Sequence, residues 1–99
     1  MPYSTNLTED EVDALWRFLL RRAQDEDDWR ESLGKPQNDP WYMANFREVS
    51  SLRKIVFRIV EERHDGVYVT GDPMILQLLA WRYLDHPEFQ SAWFEGSAA

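Results

Sequence analysis

Apolar side chains recur at three- and four-residue spacing through most of this chain. Val12, Leu15, Trp16, Leu19, Leu20 and Ala23 form one stripe at helical period, which predicts a helix over residues 9–32. Tyr42, Phe46, Val49, Leu52, Val56, Ile59 and Val60 make a broader face over residues 40–63. Trp41 and Phe57 stand at its margins, and Arg47, Ser51, Lys54, Arg58 and Glu62 line the opposite side. A face that wide calls for neighbours on both flanks. Residues 73–84 are apolar nearly all round, through Met74, Ile75, Leu78, Leu79, Ala80, Trp81 and Leu84, which predicts a centrally buried helix. A last short helix is expected over 86–94, with Phe89, Ala92, Trp93 and Phe94 on its apolar side. Val67-Tyr68-Val69-Thr70 has strand propensity but no second strand to pair with, and is expected to be an extended crossing.

Punctuation residues set the boundaries. Thr8-Glu9-Asp10-Glu11 is a capping box, with Leu7 and Val12 placed as a hydrophobic staple. Asp39-Pro40, Asp72-Pro73 and Asp85-His86-Pro87 mark three further starts. In each, Asp can accept a backbone N–H and Pro fits the first turn, where an N–H would be unpaired anyway. Gly34 and Pro36 stop the first helix, and Gly66 is expected at positive φ after the second. The acidic run Asp25-Glu26-Asp27-Asp28 would be unfavourable at a helix C-terminus, so the first helix is expected to continue through it. Arg21–Asp25 and Arg22–Glu26 pairs at i,i+4 would support that continuation. Trp29 lies off the main stripe and, with Leu33, is placed to cover a second neighbour. Residues 96–99 are expected to fray. The pattern as a whole predicts one all-α domain, a long antiparallel helical hairpin closed by two shorter C-terminal helices.

Charge narrows the partners. The 99 residues carry 11 Lys and Arg against 18 Asp and Glu, a formal net charge of −7. That balance disfavours direct binding to nucleic acid or anionic lipid, which need a basic footprint. It fits a partner with a basic surface, or an acidic mimic of nucleic acid. No Cys is present, so disulfides, thiolate metal sites and Cys nucleophiles are excluded. The polar N-terminus lacks an apolar h-region, and no apolar run approaches the ~18 residues of a membrane span, so a cytoplasmic protein is expected. Five Trp are more than a small core hides easily, which places some of them at an interface.

Candidate chemistry is sparse. His64 and His86, with Asp65, Asp72 and Asp85 nearby in sequence, would be the donors of a mixed metal site, but their spacing matches no known ligand motif. Asp25, Glu26, Asp27 and Asp28 lack the Gly and terminal Glu of a calcium loop and read as a solvated helix face. Arg53 and Asn45 each lie about 40° from Val49 on the second helix, inside its apolar stripe. A pinning ion pair is expected for Arg53 and a satisfied amide for Asn45. Tyr83, Phe89, Trp93 and Phe94 divide between core and partner-binding patch. There is no Gly-rich phosphate loop, no GxSxG and no nucleophile–base pair at readable spacing, so neither an enzyme nor a cofactor is expected.

Three segments resemble a family of short uncharacterised proteins from actinomycetes and their phages. Leu15-Trp16-Arg17-Phe18-Leu19-Leu20-Arg21-Arg22 with Asp25-Glu26-Asp27 is similar to that family's opening helix. Phe46-Arg47-Glu48-Val49 through Arg53-Lys54-Ile55 is similar to its middle basic helix. Tyr83-Leu84-Asp85-His86-Pro87-Glu88-Phe89 and Trp93 are similar to its C-terminal motif. Residues 67–73 depart from the family, because many relatives carry Cys and His there, and any metal role is not carried over. The resemblance implies a phage or prophage accessory product and no reaction. The leading expectation is therefore a non-catalytic interaction protein acting on a protein partner of a bacterial host. The residues that would carry the interaction, or pin the fold, are Arg53, Trp29, Trp41, Tyr83, Asp85, His86, Phe89, Trp93 and Phe94. Exposed Trp29, Trp41 or Trp93 would also suit a homodimer. The alternatives are an acidic nucleic-acid mimic that binds a DNA-binding protein, and a metal-dependent enzyme using His64 and His86.

Overall fold

Glu9–Ser32 (α1) begins where Thr8 caps it. The Thr8 hydroxyl accepts the Glu11 N–H at 3.1 Å, and the Glu11 carboxylate accepts the Thr8 N–H at 2.9 Å. A computed structural model describes the backbone of residues 7–95 and the side chains of residues 7–93; the expected fraying of 96–99 and the Phe94 side chain lie outside it. α1 runs unbroken through the acidic run and stops at Leu33 and Gly34, whose φ is 65°. Pro40–His64 (α2) starts on Asp39, whose Oδ1 accepts the N–H groups of Trp41 at 3.0 Å and Tyr42 at 3.1 Å. It leaves through Gly66 at φ 81°. Residues 67–69 carry no regular structure and lead into Asp72–Ala80 (α3), followed by a 3-10 turn, Trp81–Tyr83, and a single helical turn, Ala92–Glu95 (α4).

α1 and α2 are antiparallel. Arg30 near the end of α1 reaches Asn45 early in α2, Asp27 reaches Arg53, and Glu9 at the start of α1 meets Arg63 at the end of α2. Between them lie Val12, Leu15, Phe18, Leu19 and Ala23 of α1 and Val49, Leu52, Val56 and Ile59 of α2. Leu76 and Ala80 of α3 and Trp93 of α4 complete the same core. Leu7 packs against it from before the cap, as the staple spacing predicts.

The C-terminal third departs from expectation in three ways. Asp72 does not cap α3. Gly71 holds the cap position without a side-chain bond, and Asp72 lies inside the first turn with its side chain buried. The expected helix over 86–94 is helical only from Ala92. Its first half is a series of turns, with the N–H of His86, Phe89 and Trp93 each bonded to a carbonyl three residues earlier. Aromatic docking onto α1 bends this segment and overrides its local helix signals. Finally, α3 is not buried all round. Leu76, Gln77 and Ala80 are buried, whereas Ile75 and Leu78 are 40% and 44% exposed. The molecule measures 45 × 30 × 19 Å, about two helix diameters thick, so α3 rests on the hairpin with no layer above it.

The acidic run is a solvated face only at Asp25 and Asp28. Glu26 binds Arg82 at 2.8 Å and the Tyr83 hydroxyl. Asp27 binds Arg30 and Arg53, each at 2.6 Å. Asp25 pairs with Arg22 at 3.0 Å rather than with Arg21, and Glu26 leaves Arg22 for the 3-10 turn. Asp25 and Asp28 are exposed with local partners, Arg22 for the first and, for Asp28, Gln24 at 3.0 Å. Once α1 packs, successive positions 26 and 27 face different neighbours, and each finds a cation there.

Candidate functional site

Most residues nominated from sequence turn out to hold the fold together. Phe18 of α1 is the centre of an aromatic cluster. Tyr83, His86 and Phe89 meet it edge-on at 6.0, 5.6 and 6.2 Å, and Trp93 lies tilted at 4.9 Å. Trp93 is buried at 2% exposure, and Tyr83, His86 and Phe89 are half-buried. Tyr83, Phe89 and Trp93 therefore pack on the core, while Asp85 stands in solvent with Leu84, Pro87, Glu88 and Gln90. Burial and the bond to Glu26 push the Tyr83 phenol well above its usual pKa.

Arg22 lies beneath this cluster and is buried. Its guanidinium stacks over Phe18 at 5.3 Å, touches the His86 ring 3.0 Å from Nδ1, and pairs with Asp25 at 3.0 Å and Glu88 at 3.2 Å. The Glu88 N–H donates to His86 Nδ1 at 3.0 Å. The Arg22 pairing ties the Asp-His-Pro segment to α1.

A second knot fastens the hairpin tip. Arg30 is 3% exposed; it donates to Asn45 Oδ1 at 3.0 Å and to Asp27 Oδ1 at 2.6 Å, and lies over the rings of Tyr42 and Phe46. Arg53 donates to the other Asp27 oxygen at 2.6 Å, which is the pinning pair expected of it. Partial burial opposes ionisation of Asp27, but bonds and charge from Arg53 and Arg30 outweigh it and hold the carboxyl below its usual range. Arg30 was not singled out from sequence. Its only signal was a cation opposite Asn45 when the two stripes face each other.

Trp29 and Trp41 do reach solvent. They meet edge-to-face at 5.3 Å across the α1–α2 tip, with Lys35 over Trp41. They make a narrow knob rather than a hollow.

The larger apolar exposure lies between α2 and α3. Two adjoining depressions of about 490 and 370 Å³ share Ile55 as a wall. Leu52, Leu78 and Leu79 line the first, Ile59, Ile75 and Val69 the second. Arg47, Glu48 and Arg82 stand at one end and Arg58, Glu62 and Asp72 at the other. Trp81 and Leu84, beyond α3, are also 42% and 46% exposed. α3 leans more on α1 than on α2, which leaves the seam open. Neither Ile75 nor Leu78 stands out in the sequence, because an all-apolar helix reads as a buried one, and Ile55 lies outside the apolar stripe of α2. A third depression, about 440 Å³, lies by Arg17, Arg21, Glu88 and Trp93, and its walls are half polar.

The histidines do not converge. His64 shares a shallow hollow with Glu9, Asp13, Trp16 and Tyr68, while His86 sits on Arg22. Asp13 and Arg22 are nine positions apart on α1, roughly 13 Å along its axis, too far for one ion with bonds near 2 Å. Among the described residues no group of three or more His, Cys, Asp or Glu is gathered to hold a metal. Among the described residues acids form no continuous ridge either. Arg17 and Arg21 interrupt the exposed side of α1, and Arg47, Lys54 and Arg58 occupy that of α2. No helix among the described residues is long and apolar enough to cross a membrane. Comparison with known protein families, characterised proteins and solved structures returns no match.

Proposed function

We propose that this chain is a non-catalytic protein–protein interaction protein and that it binds through the α2–α3 groove. The observation that carries this reading is the open apolar seam running from Leu52 and Ile55 to Ile75 and Leu78 in so small a molecule. Contiguous apolar surface of this kind, rimmed by charged residues, marks interaction sites in soluble proteins. Its mouth is broad and its ionisable groups are mostly committed to one another, which suits a side-chain-rich partner better than a small substrate. The similarity of the Asp85-His86-Pro87 segment to short phage proteins extends the proposal to a phage accessory product with a bacterial host protein as its partner. Nucleic-acid mimicry is the weaker reading, because cations break both exposed acidic faces.

The test is affinity capture from a bacterial lysate with the wild-type chain and with an Ile55→Asp, Leu78→Asp variant. Both sites are 40% exposed or more, so the variant should melt within a few degrees of wild type. The wild type should enrich a protein that the variant loses. Equal capture by both, or no enrichment by either, would refute the proposal.

A further inference from the structure

We propose that the depression between α1 and the C-terminal segment binds a small organic carboxylate, with Arg17 and Arg21 on the carboxylate group and the Trp93 indole N–H as a further donor. The site lies apart from the α2–α3 groove and shares no lining residue with it.

Ala14, Arg17, Phe18 and Arg21 of α1 form one wall, and Glu88, Gln90 and Trp93 the other, around about 440 Å³. That volume falls in the lower range of small-ligand sites. The four α1 positions follow at three-, one- and three-residue steps, so they share a helix face, and the Cβ atoms of Arg17 and Arg21 stand about 6 Å apart. Two guanidinium groups so spaced can hold one carboxylate between them.

Neither arginine is engaged by an acid. The sequence pairs Arg21 with Asp25, yet Asp25 turns to Arg22 at 3.0 Å and leaves Arg21 without a partner among the described residues. Asp13 stands one turn before Arg17, but it accepts from Trp16 Nε1 at 3.2 Å and lines the hollow by His64. Arg17 keeps the Trp16 ring, 5.1 Å away. Asp10 and Asp28 lie two turns beyond the pair on either side, about 10 Å along the axis. Glu88, the one acid of the lining among the described residues, is held by buried Arg22 at 3.2 Å. Arg17, Arg21 and Arg22 against Asp25 and Glu88 leave one positive charge, in a chain whose total is −7. A monoanion balances it, whereas a phosphate dianion would set surplus negative charge beside Glu88.

Independent support comes from Trp93. It is 2% exposed and lines this depression, and its Nε1 is buried with no acceptor among the described residues. An indole N–H can only donate, and buried donors are nearly always paired. A carboxylate held by the two arginines supplies the acceptor. Ala14 and Phe18 lay apolar surface beside it, which suits a carbon skeleton better than a bare inorganic anion.

Titrating the full chain with phenylacetate, while following the five indole N–H signals by proton–nitrogen correlation, tests the site. The Trp93 signal should move and saturate with a Kd of about 1 mM, while those of Trp29, Trp41 and Trp81 stay in place. An Arg17→Gln, Arg21→Gln variant should bind about tenfold more weakly and keep its Tm, since neither residue is ion-paired. Phenylacetamide, which has the shape without the charge, and inorganic phosphate should each bind about tenfold more weakly as well. Phenylacetamide binding as tightly as phenylacetate, or a variant that binds like wild type, would overturn the role of the arginines. Phosphate binding as tightly as phenylacetate would overturn the organic carboxylate. A Trp93 signal unmoved at about 20 mM would overturn the site itself. A peptide bound about a hundredfold tighter through a C-terminal Phe carboxylate would give the site to a protein chain and overturn the small ligand.

Discussion

Replacing Asp27 with alanine should damage this fold more than any other surface-adjacent change on α1. Both carboxylate oxygens are in use, each 2.6 Å from an arginine nitrogen. The two partners are not equivalent. Arg53 is 29% exposed along its side chain, and a pair of that kind is worth roughly 0.2–1 kcal/mol. The Arg30 side chain is 3% exposed, and removing the partner of a buried charge costs about 3–5 kcal/mol. Arg30 keeps the Asn45 oxygen and two aromatic faces, which moves the cost to the low end of that range. A loss of about 3 kcal/mol is a large share of the ~5–15 kcal/mol that holds a domain of this size together. It should lower Tm by on the order of 10–20 °C. Urea unfolding followed by helical circular dichroism measures it, with Arg53→Ala as the milder comparison and the double variant closing the cycle. The sign with pH follows from the direction of the shift. The folded pKa of Asp27 is lowered, so its contribution is complete above the unfolded value of about 3.8 and is lost as pH falls through the folded one. The wild type should therefore lose its advantage over the variant in acid. An Asp27→Ala chain within 0.5 kcal/mol of wild type at neutral pH, by the same unfolding measurement, would refute the account of the hairpin tip.

Asp72 should behave in the opposite way. Its folded pKa is raised by burial and by Glu62, so its contribution is fully present below the unfolded pKa and lost as pH rises through the folded one. Asp72→Asn should then stabilise the chain at pH 7, by about 1 kcal/mol, and a lower Tm for that variant would contradict the reasoning. Trp93→Ala should cost about 3–5 kcal/mol as a core truncation, measured by denaturant unfolding; a cost below 1 kcal/mol would place this indole at an interface instead.

The two long helices were legible because several signals agreed on each. At Thr8 and Asp39 the caps, the apolar period and the following glycines all mark the same boundaries, and the structure places α1 and α2 within a residue of them. The candidate site was legible only in part. Arg53 showed itself as a cation in an apolar stripe. Ile75 and Leu78 did not, because a fully apolar helix carries no mark of which side meets protein and which meets solvent. The roles of Glu26 and Asp27 depend on what α2 and the 3-10 turn bring opposite them, a fact of tertiary packing. The segment after Leu84 was misread for a related reason. Its capping residues are good, but docking of Phe89 and Trp93 on Phe18 decides its path.

Arg82 reaches Glu26 on α1 with one nitrogen and Glu48 on α2 with the other. A single side chain just past the end of α3 is thus fastened to both arms of the hairpin. Nine residues are too few for a helix to persist alone in water. α3 therefore keeps its shape only while the arms stay together, and the arms cannot spread without breaking the fastener that α3 carries to them. Whatever settles in the seam beside α3 leans on a wall whose rigidity is borrowed from the whole molecule.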